Sequence, residues 1–187
     1  MTETIKNNQK SSNLTLREMI LAAMMTAVTA ACAWISIPAA VPFTLHTFAV
    51  FCSIMLLGGR GATLSLLTYL LLGAVGVPVF AGFKGGVGVL LGNTGGYLLG
   101  FLLMPLICLA VEKLFGEHLV LEIISMVFGL FVCYAFGTAW FIHVSTNAVT
   151  VKQALKLCVI PFIIPDLAKL VLAVIITGRI KKHIRVR

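Results

Sequence analysis

Charge is what this chain has least of. Only 11% of its 187 residues are charged, while 60% are hydrophobic. A soluble domain carries about 25% charged residues, so this composition excludes a water-soluble globule and points to an integral membrane protein. Acidic residues are scarcest: six in all, and Asp166 is the single aspartate. Paired carboxylates for acid–base work are therefore missing. So are Gly-x-Ser-x-Gly and His-Glu-x-x-His, which argues against a hydrolase. Neither the Gly-x-x-x-x-Gly-Lys-[Ser/Thr] phosphate loop nor the Gly-x-Gly-x-x-Gly dinucleotide loop occurs, so the chain has no nucleotide-binding motif of its own. The five cysteines are scattered one per hydrophobic segment with no Cys-x-x-Cys. They read as apolar packing residues, not disulfides or metal ligands.

What is present is a series of apolar runs. A bilayer core needs ~20 apolar residues per helix, and the length accommodates about six, with no room for a separate soluble catalytic domain. Residues 1–14 are polar and basic and read as a disordered N-terminus. Thr15 and Glu18 form a capping-box pattern before span 1, about 16–37. Ala31-Cys32-Ala33 resembles a signal-peptide cleavage site, but the charge-free run from Met19 to Ile37 is long and more spans follow. Small residues recur in span 1 as Ala23, Ala27 and Ala31, and beside them as Ala22, Thr26 and Ala30. That spacing suits close helix approach in lipid, either within the chain or against another membrane protein.

Pro38 and Pro42 bracket a break. Span 2 (about 44–58) includes His46, read first as a polar residue satisfied within the fold, with ligand contact as the alternative. Gly58-Gly59-Arg60-Gly61 reads as a tight turn into span 3 (about 62–76). Residues 79–97 hold eight glycines and alanines together with Phe80, Phe83 and Lys84. Such a segment cannot face lipid with unpaired backbone groups, so it is expected to wall a pocket, a flexible linker being the alternative. Span 4 is about 94–111, with Gly92, Gly96 and Gly100 on one face. Span 5 is about 120–142, and a polar loop around His143, Ser145, Thr146 and Asn147 follows it.

Span 6, about 154–178, carries Asp166 and Lys169 in its middle. A charge at that depth is penalised by roughly 2.5–3.5 kcal/mol on insertion scales. Three residues apart, the two side chains share a helix face. One reading is an ion pair that glues helices together; the other is a ligand site beside a helix perturbed by Pro161 and Pro165. A carboxylate and an ammonium together suit a small ligand with both donors and acceptors.

Lysine and arginine give an orientation. Lys6, Lys10, Arg17, Arg60, Lys113, Arg179, Lys181, Lys182, Arg185 and Arg187 make ten on one side; Lys84, Lys152 and Lys156 make three on the other. The positive-inside rule then puts both termini, including a basic 181–187 tail, in the cytoplasm. The glycine-rich loop faces outward.

Four stretches carry a family resemblance. They are Val41-Pro42-Phe43-Thr44-Leu45-His46-Thr47-Phe48-Ala49-Val50, the run from Tyr69 to Gly82, Leu91-Gly92-Asn93-Thr94-Gly95-Gly96-Tyr97-Leu98, and Pro165-Asp166-Leu167-Ala168-Lys169-Leu170. Together they resemble the BioY family, the biotin-binding S components of energy-coupling-factor (ECF) vitamin transporters. The likeness covers about residues 15–180 and is most specific over 69–97. It implies an all-α, multi-pass bundle of six transmembrane helices in a prokaryotic cell membrane, with an outward biotin pocket. It implies a transmembrane coupling protein and two cytoplasmic ATPase subunits as partners. ATP is used by those partners, and the chain itself holds no cofactor and is not an enzyme. Ala23, Ala27 and Ala31 correspond to the docking face for the coupling protein. Asp166 and Lys169 correspond to the pair that helps bind the biotin head group. The full set of expected binding residues is Asp166, Lys169, Lys84, Phe80, Phe83, Gly85, Gly86, Asn93 and Tyr97. Family members usually have glutamine at the position of His46 and proline at Asn93. One places arginine at the position of Leu98, a charge that Lys84 would replace beside the biotin carboxylate. An S component for another vitamin, and a stand-alone ion-coupled carrier using Asp166, are the other transport readings.

Overall fold

The computed structural model describes residues 16–39, 41–145 and 149–183, the last two of these without their side chains. The expected N-terminal segment, Thr15, Thr146, Asn147 and the end of the basic tail lie outside the described residues. Among the described residues, five helical stretches are long and apolar enough to cross a bilayer. They are α1 (Leu16–Trp34), α2 (His46–Val75), α4 (Gly95–Phe115), α5 (Leu119–Val144), and the joined pair α6 (Val151–Cys158) and α7 (Ile160–His183). A five-residue helix α3 (Val87–Leu91) precedes α4.

The stretch α2 is two rods. A straight helix of this length would run about 45 Å, well beyond the ~30 Å hydrocarbon core. On such a helix His46 and Tyr69 would stand roughly 34 Å apart, yet their ring centroids are 4.9 Å apart. The chain therefore reverses at Gly58, whose φ of 70° and ψ of 179° lie outside the helical region. Only glycine adopts that φ without a Cβ clash. The expected four-residue turn 58–61 is thus a single-residue pivot. Helical backbone resumes at Gly59, and Glu112 of α4 accepts a hydrogen bond from the Gly59 N–H at 3.1 Å with each carboxylate oxygen. Counting the two rods of α2 separately and α6–α7 as one, six long helical units are present.

Span 6 is likewise interrupted. Val159 (φ −123°, ψ −58°) separates α6 from α7. Pro161 has no N–H and clashes with a preceding helical turn; in the first turn of a new helix neither matters. Between α1 and α2, the proline-flanked break forms a short antiparallel hairpin instead of plain loop. Its strands β1 (Ser36–Ile37) and β2 (Phe43–Thr44) pair Ser36 with Thr44 and Ile37 with Phe43.

The rods of α2 sit centrally, against α1, α4 and α7, and α5 packs on α4. Glycine sets the α4–α5 spacing. A Cβ on Gly96 would stand 2.3 Å from the Cβ of Trp140, and one on Gly100 would stand 2.8 Å from Cys133 Sγ. The glycine face of span 4 therefore receives a helix of this chain. Span 1 resolves into two faces. Ala22, Thr26 and Ala30 are buried, with Thr26 Oγ1 donating to the Ser65 carbonyl at 3.0 Å. Ala23, Ala27 and Ala31 are exposed.

This arrangement gathers two sets of connections at opposite ends. One end holds the start of α1, the Gly58 pivot and the 116–118 connection. The end of α7 joins them, where Lys181 Nζ lies 3.9 Å from Glu122. The other end holds the hairpin, the glycine-rich segment and the approach to α6, and the cavity opens among these.

Candidate functional site

The cavity is about 550 Å³, within the ~300–1,000 Å³ usual for small-ligand sites. The hairpin contributes Val41, Pro42 and Thr44; α2 contributes His46 and Thr47. The glycine-rich segment adds Phe80, Ala81, Lys84, Gly88, Val89, Gly92, Asn93 and Thr94. Tyr97, Leu98 and Phe101 come from α4, Cys133 and Tyr134 from α5, Cys158 from α6, and Phe162, Asp166 and Lys169 from α7.

The polar end is built around the two charges of α7. Asp166 is 3% and Lys169 7% exposed, and Lys169 Nζ lies 2.8 Å from Asp166 Oδ1. The ammonium also donates to the Thr44 carbonyl at 2.7 Å and sits 4.3 Å from the centroid of the Phe43 ring. Phe43 in turn stacks on Phe162 of α7, centroids 5.6 Å apart. Lys169 thus ties the hairpin to α7 while it neutralises Asp166. The second carboxylate oxygen, Oδ2, accepts from the Tyr134 hydroxyl at 2.6 Å, a short bond of the charge-assisted kind. The expected face-sharing of Asp166 and Lys169 is met, and the pair lines the cavity while it bridges elements.

Five of the other expected residues divide in two ways. Lys84, Asn93, Tyr97 and Phe80 line the cavity. Phe80 is 1% exposed, its ring laid over Gly73, where a Cβ would meet it at 2.0 Å. The Tyr97 hydroxyl shares a hydrogen bond with Thr138 at 2.9 Å. Lys84 is at the mouth, exposed, with no ion-pair partner among the described residues. Phe83, expected at the pocket, is not on the cavity wall. It takes φ 57° and is 64% exposed, and it stacks on Trp34 at the end of α1, centroids 5.0 Å apart. Trp34 Nε1 donates to the Pro78 carbonyl at 2.8 Å, which clasps this loop to α1.

Gly85 and Gly86 do not line the cavity either. A Cβ on Gly85 would lie 2.5 Å from the Val77 carbonyl oxygen, and the Gly86 N–H donates to the Gly73 carbonyl at 2.7 Å. Both hold the segment against the end of α2. Phe83→Ala is accordingly expected to change ligand affinity by less than about threefold, since a half-exposed ring contact contributes under ~1 kcal/mol; equilibrium titration of the variant checks this.

Residues absent from the sequence-based set complete the site. Tyr134 lies in an uninterrupted apolar run; the one signal was a hydroxyl at a depth where it must find a partner. His46 is 2% exposed, set edge-on to Tyr69 and 4.5 Å from the Phe101 centroid. Its Nε2 has no hydrogen-bond partner among the described residues, and the side chain lines the cavity.

Comparison with known proteins bears on the whole chain. A profile of the BioY family matches residues 6–186. The chain is 44% identical over 172 residues to the biotin transporter BioY of Thermotoga maritima, covering 89% of this chain and 97% of that one. It is 39% identical over 166 residues to a probable biotin transporter BioY of Pyrococcus horikoshii, covering 88% and 96%. The crystal structure of the S component for biotin from an ECF-type ABC transporter matches with a TM-score of 0.78 at 28% identity, over 97% of this chain and 95% of that one. A matched profile, relatives covered almost end to end and a shared bundle agree with the resemblance read from residues 41–50, 69–82, 91–98 and 165–170: the chain belongs to the BioY family.

Proposed function

We propose that the chain captures biotin and carries it across the cell membrane as the substrate-binding subunit of an ATP-driven ECF transporter. Membership in a family of named transporters makes it a multi-pass transport protein and not an enzyme. The observation that carries the biotin reading is the buried Asp166, held by Tyr134 and Lys169 in a cavity that also presents aromatic and aliphatic side chains. Biotin has a cyclic urea at one end, an apolar body and a carboxylate at the other. Asp166 accepts from a ureido N–H, with Lys169 supporting the carboxylate. Phe80 and Tyr97 contact the apolar body, and Asn93 supplies an amide to the polar end.

Lys84 meets the ligand carboxylate. It is the cavity cation with no ion-pair partner among the described residues, whereas Lys169 is committed to Asp166, Thr44 and Phe43. Lys84→Ala is expected to weaken biotin binding about three- to tenfold, the scale of a partly exposed charge-assisted contact. Binding of biotin amide, which lacks the anion, should change little. Equal affinity of wild type and variant for biotin would remove this role.

The chain crosses the membrane six times with both termini in the cytoplasm and the cavity outward. Ala23, Ala27 and Ala31, exposed on α1, allow close approach of a transmembrane coupling protein, and two ATPase subunits use ATP on the cytoplasmic side. The test is uptake of labelled biotin by biotin-requiring cells expressing the chain with and without an energy-coupling module. Accumulation that depends on both is expected. Accumulation that persists without the ATPases and collapses with an uncoupler would assign an ion-coupled carrier instead.

A further inference from the structure

Tyr134 contacts no part of the ligand in the binding scheme above, yet its hydroxyl makes the shortest contact of the polar site, 2.6 Å to Asp166 Oδ2. It stands on α5 and Asp166 on α7. Both residues line the cavity, so the bond joins two helices at its wall. Lys169 holds the other oxygen, Oδ1, at 2.8 Å. A carboxylate has about four lone-pair sites. One donor on each oxygen fixes both its position and the rotation of its plane, and leaves a free site on each oxygen. The carboxylate then meets an incoming N–H already oriented, which removes an ordering cost that binding would otherwise carry.

We propose that Tyr134 is a positioning residue for ligand capture: it acts through Asp166, fixing the carboxylate that accepts from the ligand's N–H, and makes no contact of its own with that N–H. The proposal rests on the biotin reading. It predicts that the hydroxyl matters only while the carboxylate is there.

The experiment is calorimetric titration of the purified full chain with biotin, up to millimolar ligand. Four proteins are compared: wild type, Tyr134→Phe, Asp166→Asn and the double variant, with thermal melting of each without ligand. Tyr134→Phe keeps the ring and is expected to bind about tenfold more weakly, the scale of a hydrogen bond to a charged group. In the Asp166→Asn background the same change is expected to alter affinity by less than about twofold, the non-additivity of two residues acting as one unit. Wild-type affinity in Tyr134→Phe would overturn the proposal. So would the same loss in both backgrounds, which marks a packing role or an independent ligand contact. Failure of the wild type to bind biotin would overturn the biotin reading itself, and is seen without any variant.

Discussion

Asp166→Asn is expected to weaken biotin binding by one to two orders of magnitude, the loss that accompanies removal of a hydrogen bond to a charged group. The change is nearly isosteric. It takes away the charge and one acceptor oxygen while keeping an oxygen that Tyr134 or Lys169 can still reach. The effect should therefore fall on the ligand more than on the fold. Lys169 keeps its bond to the Thr44 carbonyl and its place over Phe43, so its ammonium is not stranded. Titration beside thermal melting separates the two effects. A large loss of affinity with a small shift in melting is the expected pattern; unchanged affinity would remove Asp166 from the binding site.

Lys169→Met is expected to do the opposite, damaging the fold first. It leaves the Asp166 carboxylate, 3% exposed, with Tyr134 as its one remaining donor among the described residues. Breaking a buried pair by removing one partner costs about 3–5 kcal/mol, a large share of the ~5–15 kcal/mol that holds a domain folded. The hairpin also loses its tether, because the Thr44 carbonyl accepts from this ammonium. A fall in melting temperature of about 6–20 °C, or poor recovery from the membrane, is the expected outcome.

The double variant Asp166→Asn/Lys169→Met is the informative control. With both charges gone no unpaired ion is buried, so melting should return towards wild type while biotin binding stays at least as weak as in Asp166→Asn. If Lys169→Met alone melts like wild type, the pair is not desolvated as the geometry indicates. If the double variant binds biotin with wild-type affinity, the pair serves packing and not capture.

Much of this was legible in the sequence because it is local. Apolar runs of bilayer length, the prolines at 38 and 42, and two charges three apart in span 6 are each visible within a few residues. Close packing along Gly96 and Gly100 was also legible, since a glycine every fourth residue leaves a groove. The features that escaped depend on contacts distant in sequence or on one backbone angle. Gly58 among four turn-forming residues gives no sign that a single positive φ suffices to reverse the chain.

The placement of Phe83 was equally hidden. An aromatic among glycines beside a pocket suggests a pocket wall, but Trp34, far upstream, offers a stacking surface on the outside. Gly85 and Gly86 belong to the expected binding set, whereas Gly85 makes room for the carbonyls of residues 76 and 77 and Gly86 donates its N–H to the Gly73 carbonyl. Tyr134 sits in a run with no periodic polar signal, and its partner is on another helix. The division of labour between the two lysines likewise became visible only in three dimensions. Lys169 is enclosed by Asp166, Thr44 and Phe43, and Lys84 stands at the mouth.

The central claim is that the cavity beneath the glycine-rich segment is a biotin site, and calorimetric titration of the purified wild-type chain with biotin tests it most directly. Saturable binding with one biotin per chain is predicted, and it should be lost when a large excess of biotin is already present. A wild-type protein that melts cooperatively and yet takes up no biotin would contradict the account.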